Sequence, residues 1–147
     1  TSGAALKAVA SGGHGFALLR MDREEAEGLA GQPLPQRSDT ARFAASLVAA
    51  GAAGAVIVAR GGDGNIIADA TGAWHAEAAK VQIVSKVGAG DSFVAGFTLG
   101  LARGLPVQDA LGLGAAMASA TCMTPATELC RADDVHALFD ARVVTRL

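Results

Sequence analysis

The chain has 147 residues and a formal charge of −2, a length that suits one domain with a real core and a charge that argues against a nucleic-acid or polyanion surface. Apolar types reach 51%, yet no run of about 18 purely apolar residues exists to span a bilayer, and five Phe, one Trp and no Tyr offer no stacking platform for bases. Cys122 and Cys130 make neither a disulfide framework nor a zinc spacing, which reads as two reduced thiols in a cytoplasmic protein.

Thr1 and Ser2 suit the cap of a helix over residues 4–10, which Gly12-Gly13-His14-Gly15 breaks. Phe16-Ala17-Leu18-Leu19-Arg20 is a short apolar run fit for a buried strand. Asp22 then caps a helix with Glu24 and Glu25 in its first turn, Gly31 stops it, and Pro33 to Pro35 form a loop. Ser38-Asp39 predicts the cap of a helix running to about residue 50, with Phe43, Leu47 and Val48 as its apolar stripe. Ala55-Val56-Ile57-Val58-Ala59 lacks polar alternation and reads as a fully buried parallel strand. Arg60-Gly61-Gly62-Asp63-Gly64 is a turn with Asp63 as turn former, and residues 65–69 are a strand returning from it. After the turn Ala70-Thr71-Gly72, short strands are expected at 74–77 and 81–84. Everything from residue 93 onward reads as helix: 93–103, 107–121, and a last piece from about residue 132. The Ala/Gly-rich stretch 110–121 points to close helix packing and not to a linker. This order describes an α/β layered fold with helices on a mostly parallel sheet. Ligands of such folds gather at the carboxyl ends of the strands, where the turn 60–64 and the loop 85–91 would lie.

The segment with most chemistry is Val87-Gly88-Ala89-Gly90-Asp91-Ser92-Phe93. Three small residues at a helix mouth leave bare amides that can converge on an anion, aided by the helix dipole. A carboxylate beside a bound phosphate adds repulsion, so Asp91 is better explained as a base for a hydroxyl attacking that phosphate. The competing reading is an ordinary helix cap. Spacing alone leaves the two even, and the strand-end location favours phosphate.

Other residues carry blander expectations. His14, His75 and His136 share no metal-ligand spacing and are read as solvent-exposed or capping. Trp74 is core or edge cover, Met117 and Met123 are packing residues, Asp133-Asp134 cap the last helix, and Arg103 sits at a helix C-terminus.

The 87–93 motif with Ala95-Gly96-Phe97, Gly-x-Asp-Gly at 61–64, the Thr1-Ser2-Gly3 start, Leu101-Ala102-Arg103-Gly104-Leu105 and Leu129-Cys130 together resemble the ribokinase-like carbohydrate kinases of the PfkB family, in its phosphofructokinase branch. The resemblance implies a Rossmann-type three-layer α/β/α sandwich of which residues 1–147 are the C-terminal, nucleotide-binding and catalytic portion. The sugar-binding and lid portion that makes the dimer would belong to the N-terminal half, so the parent is expected to be a homodimer and the isolated chain inactive. The implied reaction is ATP-dependent phosphorylation of fructose 6-phosphate or a related sugar phosphate. Asp91 would be the general base, and the Gly88, Ala89 and Gly90 amides the anion hole. Gly61, Gly62 and Gly64 would lie along the nucleotide with Arg20, Asp22 and Ala59, and Ala115 and Ser119 would border the adenine. Glu25 would orient Mg2+-bound water. In some relatives a monovalent cation, K+, is held by backbone carbonyls whose matching positions are Ser85, Val87, Thr121, Thr124, Ala126 and Glu128.

The sequence also departs from the family pattern. Arg20-Met21-Asp22-Arg23-Glu24-Glu25 replaces a usual Lys-Pro-Asn-x-x-Glu, Ala59 replaces a Ser, Lys86 a smaller polar residue, and Thr124-Pro125-Ala126 a loop rich in Gly. These departures keep an alternative open: a non-catalytic nucleotide-binding module, or a truncated or degenerate kinase fragment.

Overall fold

The computed structural model describes residues 3–13 and 15–147, so the cap expected at Thr1 and Ser2, and His14, lie outside the described residues. The chain divides into two compact units, residues 1–61, 65–75 and 145–147, and residues 62–64 and 76–144. Helices α1 (Gly3–Ala10), α2 (Arg23–Ala30) and α3 (Arg37–Ala49) belong to the first, and α4 (Ala89–Ala102), α5 (Val107–Cys122) and α6 (Ala132–Asp140) to the second. Strands β1 (Leu18–Asp22), β2 (Ala55–Ala59), β3 (Asn65–Asp69), β4 (Gly72–Ala76) and β5 (Val144–Arg146) form one sheet in that order.

β1 and β2 are parallel, with Asp22 opposite Ala59, whereas β2 and β3 are antiparallel. The sheet is therefore mixed where a mostly parallel one was expected. Five residues between β2 and β3 cannot make a crossover, so the chain must turn straight back. β1 also starts two residues later than Phe16, because Leu19 and Met21 supply its buried face while Phe16 is 46% exposed. All three central residues of β2 are buried, as its lack of polar alternation required.

Leu6, Leu19, Met21, Ala26, Ala44, Val56, Val58 and Ala68 make the core of the first unit. On α3 the buried line is Thr40, Ala41 and Ala44, and the expected stripe of Phe43, Leu47 and Val48 flanks it half-buried. Small residues on that line let the helix lie close. The N-cap of α3 is Gln36 and not Ser38, and its amide donates to Asp39 Oδ2 at 3.0 Å. His75 is fully buried, against the exposed or capping role expected of it. Trp74 is half-buried on β4, and Arg146 of the neighbouring β5 stands 5.8 Å from its ring centroid. β5 itself was expected to be helix, since three residues are too few to display a strand period.

The 33–36 segment is held from two sides. The Leu34 amide donates to Glu27 Oε1 at 3.0 Å, and Arg60 donates to the Leu34 and Pro35 carbonyls at 3.0 and 2.9 Å and to Thr40 Oγ1. The Leu34 N–H bond, then the Arg23 guanidinium, lowers the Glu27 carboxyl below its ordinary value of 4.5. A lowered folded-state value contributes stability that is complete above the ordinary value and fades as the pH falls through the lowered one. Glu27→Gln is therefore expected to flatten the acid limb of the stability curve, with urea midpoints on either side of 4.5 as the measurement. An acid limb identical to that of the unaltered chain would contradict it.

In the second unit α4 and α5 meet backbone to backbone. A methyl on Gly96 would lie 3.0 Å from Gly114 Cα, one on Gly100 2.9 Å from Ala110 Cα, and one on Gly114 2.9 Å from the Phe93 carbonyl. The Ala/Gly richness is thus close packing, as expected. Phe93 and Phe97 are buried beside this seam with ring centroids 6.3 Å apart, and Met117 packs with Leu113, Ala120 and Val135. Arg142 joins α6 to α5 through Asp109 at 2.8 Å while lying over Phe139.

Three expectations change here. α4 begins at Ala89, four residues before Phe93, because Gly88 adopts the left-handed conformation (φ 80°) and caps it. Residues 81–84 are not a strand: Val84 and Ser85 donate to the Cys122 carbonyl at 2.8 and 3.3 Å, and Ile83 and Val84 are more than half exposed. Apolar β-formers without a neighbouring strand stay irregular. Asp133 and Asp134 lie in the first turn of α6, whose N-cap is Arg131. No helix among the described residues is long and apolar enough to cross a membrane.

Candidate active site

The candidate residues fall into two clusters, each within one unit. In the first, Asp22 and Ala59 are register partners at the carboxyl ends of the parallel strands β1 and β2, with Arg20 two residues earlier on β1 and Gly61 just beyond β2. That is where open α/β sheets collect ligands. Asp22 is also the N-cap of α2, and its Oδ1 accepts the Glu25 amide at 2.9 Å while Glu25 Oε2 accepts the Asp22 amide at 2.9 Å. The Asp-x-x-Glu spacing is thus a reciprocal capping box, a bond pattern that Asn at position 22 would also support. One carboxylate oxygen of each residue, Asp22 Oδ2 and Glu25 Oε1, stays outside the box. Hard oxygens of this kind suit Mg2+, which takes one or two carboxylates and keeps its waters. No group of three or more His, Cys, Asp or Glu is placed to bind a metal directly among the described residues.

The second cluster is built on the first turn of α4. Gly88 caps the helix, the Ser92 amide closes on the Gly88 carbonyl at 2.9 Å, and the Ala89 amide reaches back to Lys86 at 3.3 Å. The amides of Gly88, Gly90 and Asp91 take no backbone acceptor among the described residues. Asp91 occupies the third helical position, is exposed, and makes no capping bond. The simple cap reading of Asp91 therefore has no bond to support it. What remains is a carboxylate next to unengaged amides at a helix N-terminus, the arrangement that favours an anion.

The loop leading into this turn is fastened to the end of α5 by the bonds to Cys122, and Val87 donates to Ser85 Oγ at 3.2 Å. Thr124, 1% exposed, places its hydroxyl 2.9 Å from the Thr121 carbonyl and 3.3 Å from the Glu128 carbonyl. Three of the carbonyl-bearing positions, Thr121, Thr124 and Glu128, are thereby brought together, and Thr127 turns the loop between them at φ 73°. Ala126 lies exposed in that loop. Ala115 and Ser119 are buried one turn apart on α5, and Ser119 Oγ accepts the Ala79 amide at 3.3 Å. Gly64 is buried, and a methyl on it would lie 2.0 Å from the Ala76 carbonyl, so its bareness serves the chain's own backbone. Gly61 and Gly62 are exposed and meet nothing within 4 Å.

Two residues escaped sequence reasoning. Arg60 reads as a turn residue, yet it grips the 33–36 segment beside the β2 strand end. A cation directly following a buried apolar strand was the available signal. Thr121 figured in the sequence only through its carbonyl, and no local pattern announces the contact of its hydroxyl with Ser92 Oγ at 2.7 Å.

The pfkB family carbohydrate kinase model matches residues 2–134. The chain is 33% identical over 140 residues to the ATP-dependent 6-phosphofructokinase isozyme 2 of Mycobacterium tuberculosis, covering 95% of this chain and 40% of that protein. It is also similar to phosphofructokinase-2 from Escherichia coli, in a crystal structure with substrates and products (TM-score 0.86, 30% identity, 95% of this chain and 45% of that one). A second crystal structure of that enzyme, in complex with potassium, matches at TM-score 0.85 and 31% identity over the same shares, 95% and 45%. The chain thus spans less than half the length of these relatives. With the signature turn, the ribokinase-like α/β fold and these matches in agreement, the chain belongs to the pfkB family of carbohydrate kinases.

Proposed function

We propose that this chain supplies the nucleotide-binding and catalytic portion of an ATP-dependent kinase acting on fructose 6-phosphate or a related sugar phosphate. The observation that carries the reading is the first turn of α4, where Asp91 stands exposed beside amides free to take an anion. Asp91 accepts the proton of the acceptor hydroxyl as that oxygen bonds to the γ-phosphorus and the bond to ADP breaks. The Gly88, Ala89 and Gly90 amides hold the negative oxygens of the group in flight, Ala89 exchanging its 3.3 Å bond to Lys86 for the phosphoryl oxygen. Mg2+ would neutralise charge on the ATP phosphates, with Asp22 and Glu25 as its outer carboxylates. Arg20, Ala59, Gly61 and Gly62 line the nucleotide in this reading, and Ala115 and Ser119 flank its base. A potassium ion held by the backbone carbonyls of Ser85, Val87, Thr121, Thr124, Ala126 and Glu128 accords with the potassium complex of the Escherichia coli relative. The choice of fructose 6-phosphate rests on the names of the relatives.

The test has two parts. Calorimetry on this chain should register Mg-ATP binding, and a coupled assay with fructose 6-phosphate should register turnover in a polypeptide extended to the relatives' length. Binding with no turnover on any sugar phosphate would leave only a nucleotide-binding module. Absence of both would overturn the proposal.

A further inference from the structure

We infer that Thr121 is a positioning residue for the phosphate-binding turn, acting through its side chain. The inference rests on reading Gly88–Asp91 as that turn. Thr121 lies in the last turn of α5 and is 3% exposed. Its Oγ1 is 2.9 Å from the Met117 carbonyl and 2.7 Å from Ser92 Oγ. A carbonyl can only accept, so the single Thr121 proton goes to Met117 and Ser92 must donate to Thr121. Its methyl reaches the other end of the same turn: Thr121 Cγ2 lies 3.8 Å from the point where a Gly88 Cβ would stand. One side chain thus bonds to the residue following Asp91 and fills the space in front of the cap residue Gly88, where a Cβ would stand.

The turn has few other ties. Among the described residues only its Ser92 and Ala89 amides are bonded to backbone, so the Ser92 to Thr121 side-chain bond is a direct tie from the turn to α5. Serine or alanine at position 121 would lose the methyl, valine the proton donor and acceptor. Only threonine provides both, in a β-branched side chain with little rotational freedom. Anion holes tolerate displacements of only about half an ångström, so such a brace acts on binding and catalysis without touching the phosphoryl group.

The experiment is residue-resolved amide hydrogen exchange on this chain and on its T121V, T121S, S92A and T121V/S92A variants, with Mg-ATP calorimetry on each. Exchange at the Ser92 amide should quicken by about tenfold in T121V and in S92A, the scale of one lost hydrogen bond. The double variant should quicken no further, and T121S should recover most of the protection. Amides in the middle of α5 should not change. Mg-ATP affinity should fall in T121V and return only in part in T121S, which keeps the hydroxyl but lacks the methyl. Unchanged Ser92 exchange, or equal quickening throughout α4 and α5, overturns the inference; should T121V fail to fold, S92A alone decides it by the same two outcomes. If the unaltered chain binds no Mg-ATP, the kinase reading fails while the exchange result still decides whether Thr121 braces the turn.

Discussion

Asp91→Asn is expected to lower phosphoryl transfer by about 10²–10⁴-fold, the usual worth of a positioned general base. Asparagine keeps the size and polarity of the side chain but cannot take a proton from the acceptor hydroxyl. Because the Asp91 carboxylate makes no capping bond and is exposed, its loss should leave α4 and the Gly88 cap in place. Mg-ATP affinity should hold or rise, since a negative charge next to the phosphates has been removed. Turnover comes from the coupled assay and affinity from calorimetry, both in a polypeptide extended to the relatives' length. Turnover within a few-fold of the unaltered enzyme would remove Asp91 from the chemistry. A matching collapse of ATP affinity would make it a binding residue instead.

The second large effect concerns stability. Gly64→Ala places a methyl 2.0 Å from the Ala76 carbonyl and 2.9 Å from the Ala78 amide, at φ 104°. Both neighbours are backbone and cannot rotate aside. The loss should be about 3 kcal/mol or more, the class of overpacking combined with a forbidden backbone angle. Gly61→Ala meets nothing within 4 Å at φ 59°, so only the left-handed penalty of about 1–2 kcal/mol applies. Urea unfolding of the two variants separates them. Equal losses would mean that the Gly64 contact relaxes, and nucleotide binding would again be a reason for both glycines.

The features legible in the sequence were those written in neighbouring residues. Small residues before Asp91, the Asp22 to Glu25 spacing, the apolar run 55–59 and the glycines of α5 each state their own local physics. The parts that were not legible depend on partners distant along the chain. Thr121 meets Ser92 across 29 positions, and Arg60 meets Leu34 across 26. Residues 81–84 carry a strand's composition, but pairing is decided by a neighbour that composition does not describe. The start of α4 was placed late because glycine reads as a helix breaker, whereas at Gly88 it is the cap and Gly90 follows inside the helix.

The two grips on Leu34 respond differently to acid. Arg60 donates there to carbonyls and a hydroxyl, none of which takes up a proton as carboxylates do. Glu27 gives up its proton-free form as the solution is acidified. Acid therefore releases one of the two grips on Leu34 and spares the other. Local loosening of that kind would precede melting of the sheet and would be visible as early deuterium uptake at the Leu34 amide.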